Sequence, residues 1–68
     1  MGRLSTFDHM LINKWELGEP VFLRLKDGRE GTFKVLLFDV ETLAVILEPV
    51  TGGARLRVAT AEIEKVEL

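Results

Sequence analysis

The chain has no cysteine, no tyrosine, one histidine, one tryptophan and two prolines in 68 residues. Without cysteine there is no disulfide staple. One histidine with no cysteine or second histidine near it supplies no zinc-type ligand set, so neither a metal nor a cofactor is expected. His9 itself reads as a solvated helix residue rather than a ligand or a base. No apolar run approaches the roughly 20 residues of a membrane span and no signal peptide precedes the domain, so no membrane association is expected. A cysteine-free chain is compatible with a reducing compartment, and the cytoplasm is the expected location. Cations are not in excess: 9 Lys and Arg face 11 Asp and Glu, for a net charge of −2. That excludes a general electrostatic pull toward nucleic acid and leaves room only for a local basic patch. There is no nucleophile–base pair, Gly-rich phosphate loop or metal-ligand spacing, so the chain does not read as an enzyme.

What the chain does have is apolar residues, 47% of the total. Residues 1–68 make one domain, close to the lower limit for independent folding. At this size the gain from apolar burial roughly cancels the loss of chain entropy. With disulfides and metals excluded, self-association is the remaining source of support.

The pattern is clearest over residues 21–39. Val21, Leu23 and Leu25 alternate with Phe22, Arg24 and Lys26, a period of two that puts the aliphatic side chains on one face of a strand. Asp27-Gly28 follows and predicts a two-residue type I′ turn, with positive φ at both positions. The chain returns over 29–38, with Phe33, Val35 and Leu37 on one face and Thr32, Lys34, Leu36 and Phe38 on the other. Gly31 predicts a bulge or bend early in this strand.

Ahead of the hairpin, Ser5 and Asp8 have the spacing of a capping box, and Gly18 with Pro20 marks a stop. A helix is expected from about 6 to 16, with Phe7, Met10, Leu11 and Trp15 toward the barrel and Lys14 at the margin. After the hairpin, 39–42 is a short connection and 43–48 a nearly continuous aliphatic strand ended by Pro49. A turn at 50–53 leads to a fourth strand, 55–59, with Leu56 and Val58 inward and Arg55 and Arg57 outward. Thr60-Ala61 is a corner, and 63–68 is the last strand. The expected fold is mainly β: a five-stranded, strongly bent, antiparallel SH3-like barrel over about 18–68 with an N-terminal α-helix.

In order and residues this pattern resembles the Sm-like (LSm/Hfq) family. The first motif of that family runs roughly apolar-x-apolar-x-Leu-Lys-Asp-Gly-Arg-Glu, with a bent strand of ten residues ending Phe-Asp. Here the residues are Val21-Phe22-Leu23-Arg24-Leu25-Lys26-Asp27-Gly28-Arg29-Glu30, closing on Phe38-Asp39 without a gap. The hairpin is also similar to that of the SH3-like C-terminal domain of ribosome maturation factor RimP, which the N-terminal helix argues against. The chain departs from the Sm-like pattern at its uridine site. Where the family has a His or aromatic and an Asn, this chain has Glu41 and Leu43, and the second motif is replaced by Ala59-Thr60-Ala61-Glu62. Asp39 fits. The side chains that stack on and read a base are therefore missing.

The resemblance implies a homo-oligomeric ring of about five to seven subunits, in which strand four of one copy pairs with strand five of the next. Leu56, Val58, Ile63 and Val66 would lie at or beside the seam, and Glu41, Thr42, Thr60 and Glu62 would line the pore. If the ring binds RNA, the candidate contacts are Asp39, Arg24, Lys26, Arg29, Lys34, Arg55 and Arg57. The alternative is a protein-interaction or assembly module on the same barrel, without nucleic acid.

Overall fold

The computed structural model describes residues 4–67. A helix, α1 (Thr6–Leu17), precedes five strands: β1 (Pro20–Leu25), β2 (Glu30–Asp39), β3 (Ala44–Pro49), β4 (Leu56–Ala59) and β5 (Ile63–Glu67). A 3-10 turn, Thr60–Glu62, joins the last two. Every neighbouring pair is antiparallel, in the order β4-β3-β2-β1-β5. The mainly β, helix-then-five-strands architecture expected from the sequence is the one observed. Leu68, expected at the end of the last strand, lies outside the described residues.

The helix begins where its orphan amides find side chains. Ser5 Oγ accepts from the Asp8 amide at 3.2 Å, and Asp8 Oδ2 accepts from the Ser5 amide at 2.8 Å. It ends at Gly18, in the left-handed region at φ 70°. There the Gly18 and Glu19 amides donate to Trp15 O and Lys14 O. Leu11 is fully buried, and Leu4, Phe7, Met10 and Ile12 pack around the same core. Burying Leu11 contributes about 1.5–3 kcal/mol, which a helix this short needs because it is marginal alone. Trp15 departs from expectation. It is 37% exposed, and every residue from position 15 to position 20 is exposed. The last turn of α1, which packs mainly on β2, runs past the sheet.

The hairpin forms where expected but turns differently. Arg24 stands opposite Glu30, Leu25 N donates to Arg29 O at 2.7 Å, and Gly28 N donates to Leu25 O at 3.0 Å. Only Gly28 has positive φ, 98°; Asp27 does not. The connection is thus a three-residue loop, a turn followed by one left-handed glycine, rather than a type I′ turn. Asp27 contributes through its side chain, which accepts from the Arg29 amide and Nε.

Two bulges bend the sheet, and neither is at Gly31, which pairs regularly with Leu23. On β2 the register slips between Val35 and Leu37, so Leu36 is the extra residue. The slip reverses the alternation: Phe38 is 3% exposed and Leu37 42%, the opposite of the sequence expectation. On β5, Leu25 faces Ile63 and Arg24 faces Lys65, leaving Glu64 extra. That lets Ile63 and Val66, three residues apart, both enter the core.

The curl follows from chain length. The strands β4 and β5 are the two edges of the sheet, yet only Thr60–Glu62 separates them. In a flat sheet of this size the edges would lie about 19 Å apart. Four peptide steps reach about 14 Å when extended and less as a 3-10 turn. The sheet therefore has to curl into a half-barrel that brings its edges together at this end. Val45, Leu47, Leu23 and Leu25 fill it, closed over by Phe33, Phe38 and Val58.

Candidate functional site

The four residues expected at the end loops fall on two segments that touch. Thr60 N donates to Leu43 O at 2.9 Å, which joins the 3-10 turn to the β2–β3 connection, and Lys26 N donates to Glu62 O at 2.8 Å, which joins it to the hairpin tip. Asp39 organises the connection. Its Oδ1 accepts from the amides of Glu41, at 2.9 Å, and Thr42, at 3.3 Å. These amides, the Thr42 amide foremost, with the Thr42 hydroxyl and the nearby Arg57 charge, hold the Asp39 carboxyl below the usual carboxylate range. Arg57 Nη2 also donates to Thr42 Oγ1 at 3.4 Å. Asp39, Thr42 and Arg57 thus form one polar link across the loop. The sequence supplied each residue but not the link, because Arg57 comes from β4.

Leu43, expected to open β3, instead precedes it at φ 53°, the only non-glycine with positive φ among the described residues. The short connection places a left-handed residue before β3 starts, a conformation that Asn and Asp adopt more readily than Leu. Leu43 and Val40 are both exposed. The loop therefore offers apolar groups and Glu41, with no aromatic face on which a base could stack.

The candidate cations divide in two. Arg24 is paired with Glu30 at 2.8 Å, Arg29 with Asp27 at 2.8 Å and Arg55 with Glu48 at 3.4 Å. Glu30 raises the Arg24 pKa further, and the Arg29 amide, first, then its guanidinium lower that of Asp27. Exposed pairs of this kind add little to stability, but they take cations away from a phosphate. Among the described residues, Lys26, Lys34 and Arg57 have no carboxylate partner.

At the expected seam, Val58, Ile63 and Val66 are buried in the core of their own chain, and Leu56 is half-buried at the head of β4. What the edge strands turn outward is backbone: neither β4 nor β5 has a second neighbour. Beside Leu56 opens a cleft of about 640 Å³, lined by Gly31, Phe33, Pro49, Val50, Gly52 and Leu56 together with Arg29, Glu30, Thr32 and Thr51. Sequence reasoning passed over it. Its signal was Val50, an aliphatic residue in a turn, 54% exposed. Among the described residues no helix is long and apolar enough to cross a membrane, and no group of three or more His, Cys, Asp or Glu is placed to hold a metal ion. No protein-family model matches the chain, and it has no match among the curated proteins or the solved structures with which it was compared.

Proposed function

We propose that this chain is the subunit of a homo-oligomeric ring of Sm-like type, an assembly scaffold that does not read uridine at its centre. The observation that carries the reading is the pair of unpartnered edge strands, β4 and β5, at the ends of one curled sheet. Exposed edges invite pairing with another chain. When the two edges differ, the contact is head-to-tail and closes into a ring if the rotation per subunit divides a full turn. The resemblance of residues 21–39 to the first Sm motif supports the same reading and suggests about five to seven subunits. Glu41 and Leu43 stand where base-reading side chains would be needed, which argues against uridine at the end loops. Any RNA association falls to Lys26, Lys34 and Arg57, the cations left without carboxylate partners among the described residues. The exposed apolar residues Val40 and Leu43 favour a second reading, a protein-interaction module on the same barrel.

Light scattering behind a sizing column, followed by titration of the eluted particle with oligouridine and oligoadenosine across salt concentrations, tests this. A multimer with weak binding that disappears at moderate salt is expected. A monomer at micromolar concentration overturns the ring, and tight, salt-resistant oligouridine binding overturns the scaffold assignment.

A further inference from the structure

We propose that the cleft beside Leu56 docks an extended, uncharged segment of another protein. The segment adds as a short strand along residues 30–32 of β2 and seats one large apolar side chain against Phe33, Val50 and Leu56. One subunit suffices for this, and the free edges of β4 and β5 are not involved. At this end β2 outruns its neighbour. It begins at Glu30, but β3 pairs with it only from Phe33, opposite Pro49. Past that pair, Val50 N donates to Thr32 O at 3.1 Å, and the chain then turns back, with Gly52 N donating to Pro49 O at 3.0 Å. Residues 30–32 are therefore paired with β1 on one side and open to the cleft on the other. In an antiparallel strand both backbone groups of a residue point to the same edge, and the edge alternates along the chain. Arg29 O receives Leu25 N and so points to β1, whereas Thr32 O receives Val50 N and points to the cleft side. Glu30 shares the parity of Thr32. Its N–H and C=O, with the Thr32 N–H, face the open side, where no strand among the described residues lies against them. Such a row of open backbone groups is what an added strand satisfies.

Parity and charge set what the segment carries. A residue opposite Gly31 points to the same face of the sheet as Gly31 and Phe33. Glycine leaves that space open: a Cβ at Gly31 would meet only the Phe33 ring, at 3.7 Å. An apolar side chain entering there removes exposed Val50 and half-buried Leu56 from water. The charged residues of the lining are both committed, Arg29 to Asp27 and Glu30 to Arg24, each at 2.8 Å. An uncharged segment leaves both pairs intact, whereas a charged side chain in the cleft finds no free counter-charge. A phosphodiester finds none either. Lys26, Lys34 and Arg57, the cations without carboxylate partners among the described residues, all lie outside the lining, which favours a peptide over a nucleic acid.

The probe is a capped pentapeptide of serine and threonine around a central leucine, titrated into the unmodified protein and followed by amide chemical shifts. Two controls carry alanine or aspartate at the centre, and a third is N-methylated on either side of the leucine. The leucine peptide should move the amides of Glu30, Thr32, Val50 and Gly52 saturably, and each control should bind at least about tenfold more weakly. Gly31→Leu fills the cleft without backbone strain, since Gly31 is not left-handed, and should weaken binding at least about tenfold with cooperative unfolding retained. Val50→Asp, at an exposed position, should weaken it likewise, and Val40→Asp, exposed but outside the lining, should leave it unchanged. No shift at those amides with millimolar leucine peptide, or full affinity in Val50→Asp, overturns the site. An N-methylated peptide that binds as well as its parent overturns the strand geometry. Movement of the same amides on concentrating the unliganded protein identifies a second copy as the occupant, and larger shifts with oligoadenosine identify a nucleic acid; either overturns the peptide. Particle mass by light scattering reports on the ring separately.

Discussion

Replacing Phe38 and Leu37 singly with alanine distinguishes the two possible phases of β2. Uninterrupted alternation from Phe33 puts Leu37 in the core; the bulge at Leu36 puts Phe38 there instead, at 3% exposure against 42% for Leu37. Truncating a buried phenylalanine costs about 3–5 kcal/mol through lost transfer energy and the cavity left behind. Leu37 has little more than half its surface to lose, and Leu37→Ala should cost about 1 kcal/mol. A domain of this length has roughly 3–10 kcal/mol of total stability, and each kcal/mol moves Tm by about 4–8 °C. Phe38→Ala should therefore lower Tm by more than about 12 °C or abolish the cooperative transition, while Leu37→Ala lowers it by less than about 10 °C. The assay is thermal unfolding followed by far-UV circular dichroism, at one protein concentration so that self-association contributes equally. A Leu37→Ala loss equal to or larger than that of Phe38→Ala would refute the bulge.

Gly28 has φ 98° and open space where a Cβ would sit, so Gly28→Val carries backbone strain alone, about 1–3 kcal/mol, and an unchanged melting temperature would contradict the three-residue turn. At Leu43, φ 53° suits asparagine better than leucine, so Leu43→Asn should leave Tm unchanged or raise it by a few degrees; a drop of more than about 4 °C would mean that the side chain packs against something. The depressed pKa of Asp39 implies stability that is present above the ordinary aspartate range and lost as pH falls through the lower folded value. Asp39→Asn should remove that share, so the stability gap between the natural chain and the variant should narrow below about pH 4; a gap that widens on acidification has the wrong sign.

The parts of the fold that were legible in the sequence are those set by local chemistry. Ser5, Asp8 and Gly18 bound the helix because caps act within one turn of chain, and the aliphatic alternation of β1 survives because its pairing with β2 is regular. What failed to show were effects of partners distant in sequence. The bulges at Leu36 and Glu64 exist only relative to β3 and β1, so period-two reasoning carried straight through them. One trace was visible: Ile63 and Val66 are three apart, a spacing that no regular strand buries on one face. Leu43 went unrecognised because leucine gives no hint of a left-handed backbone, and the link from Asp39 through Thr42 to Arg57 needs β4 folded against the loop. The cleft beside Leu56 joins three separate segments and has no local signature beyond Val50.

The central claim is that the unpaired edges of β4 and β5 meet between copies. Multi-angle light scattering of the unmodified chain, from sub-micromolar to tens of micromolar, tests it most directly. A constant mass of about five to seven chains, held over that range, is the predicted result. A mass of one chain at every concentration would contradict it.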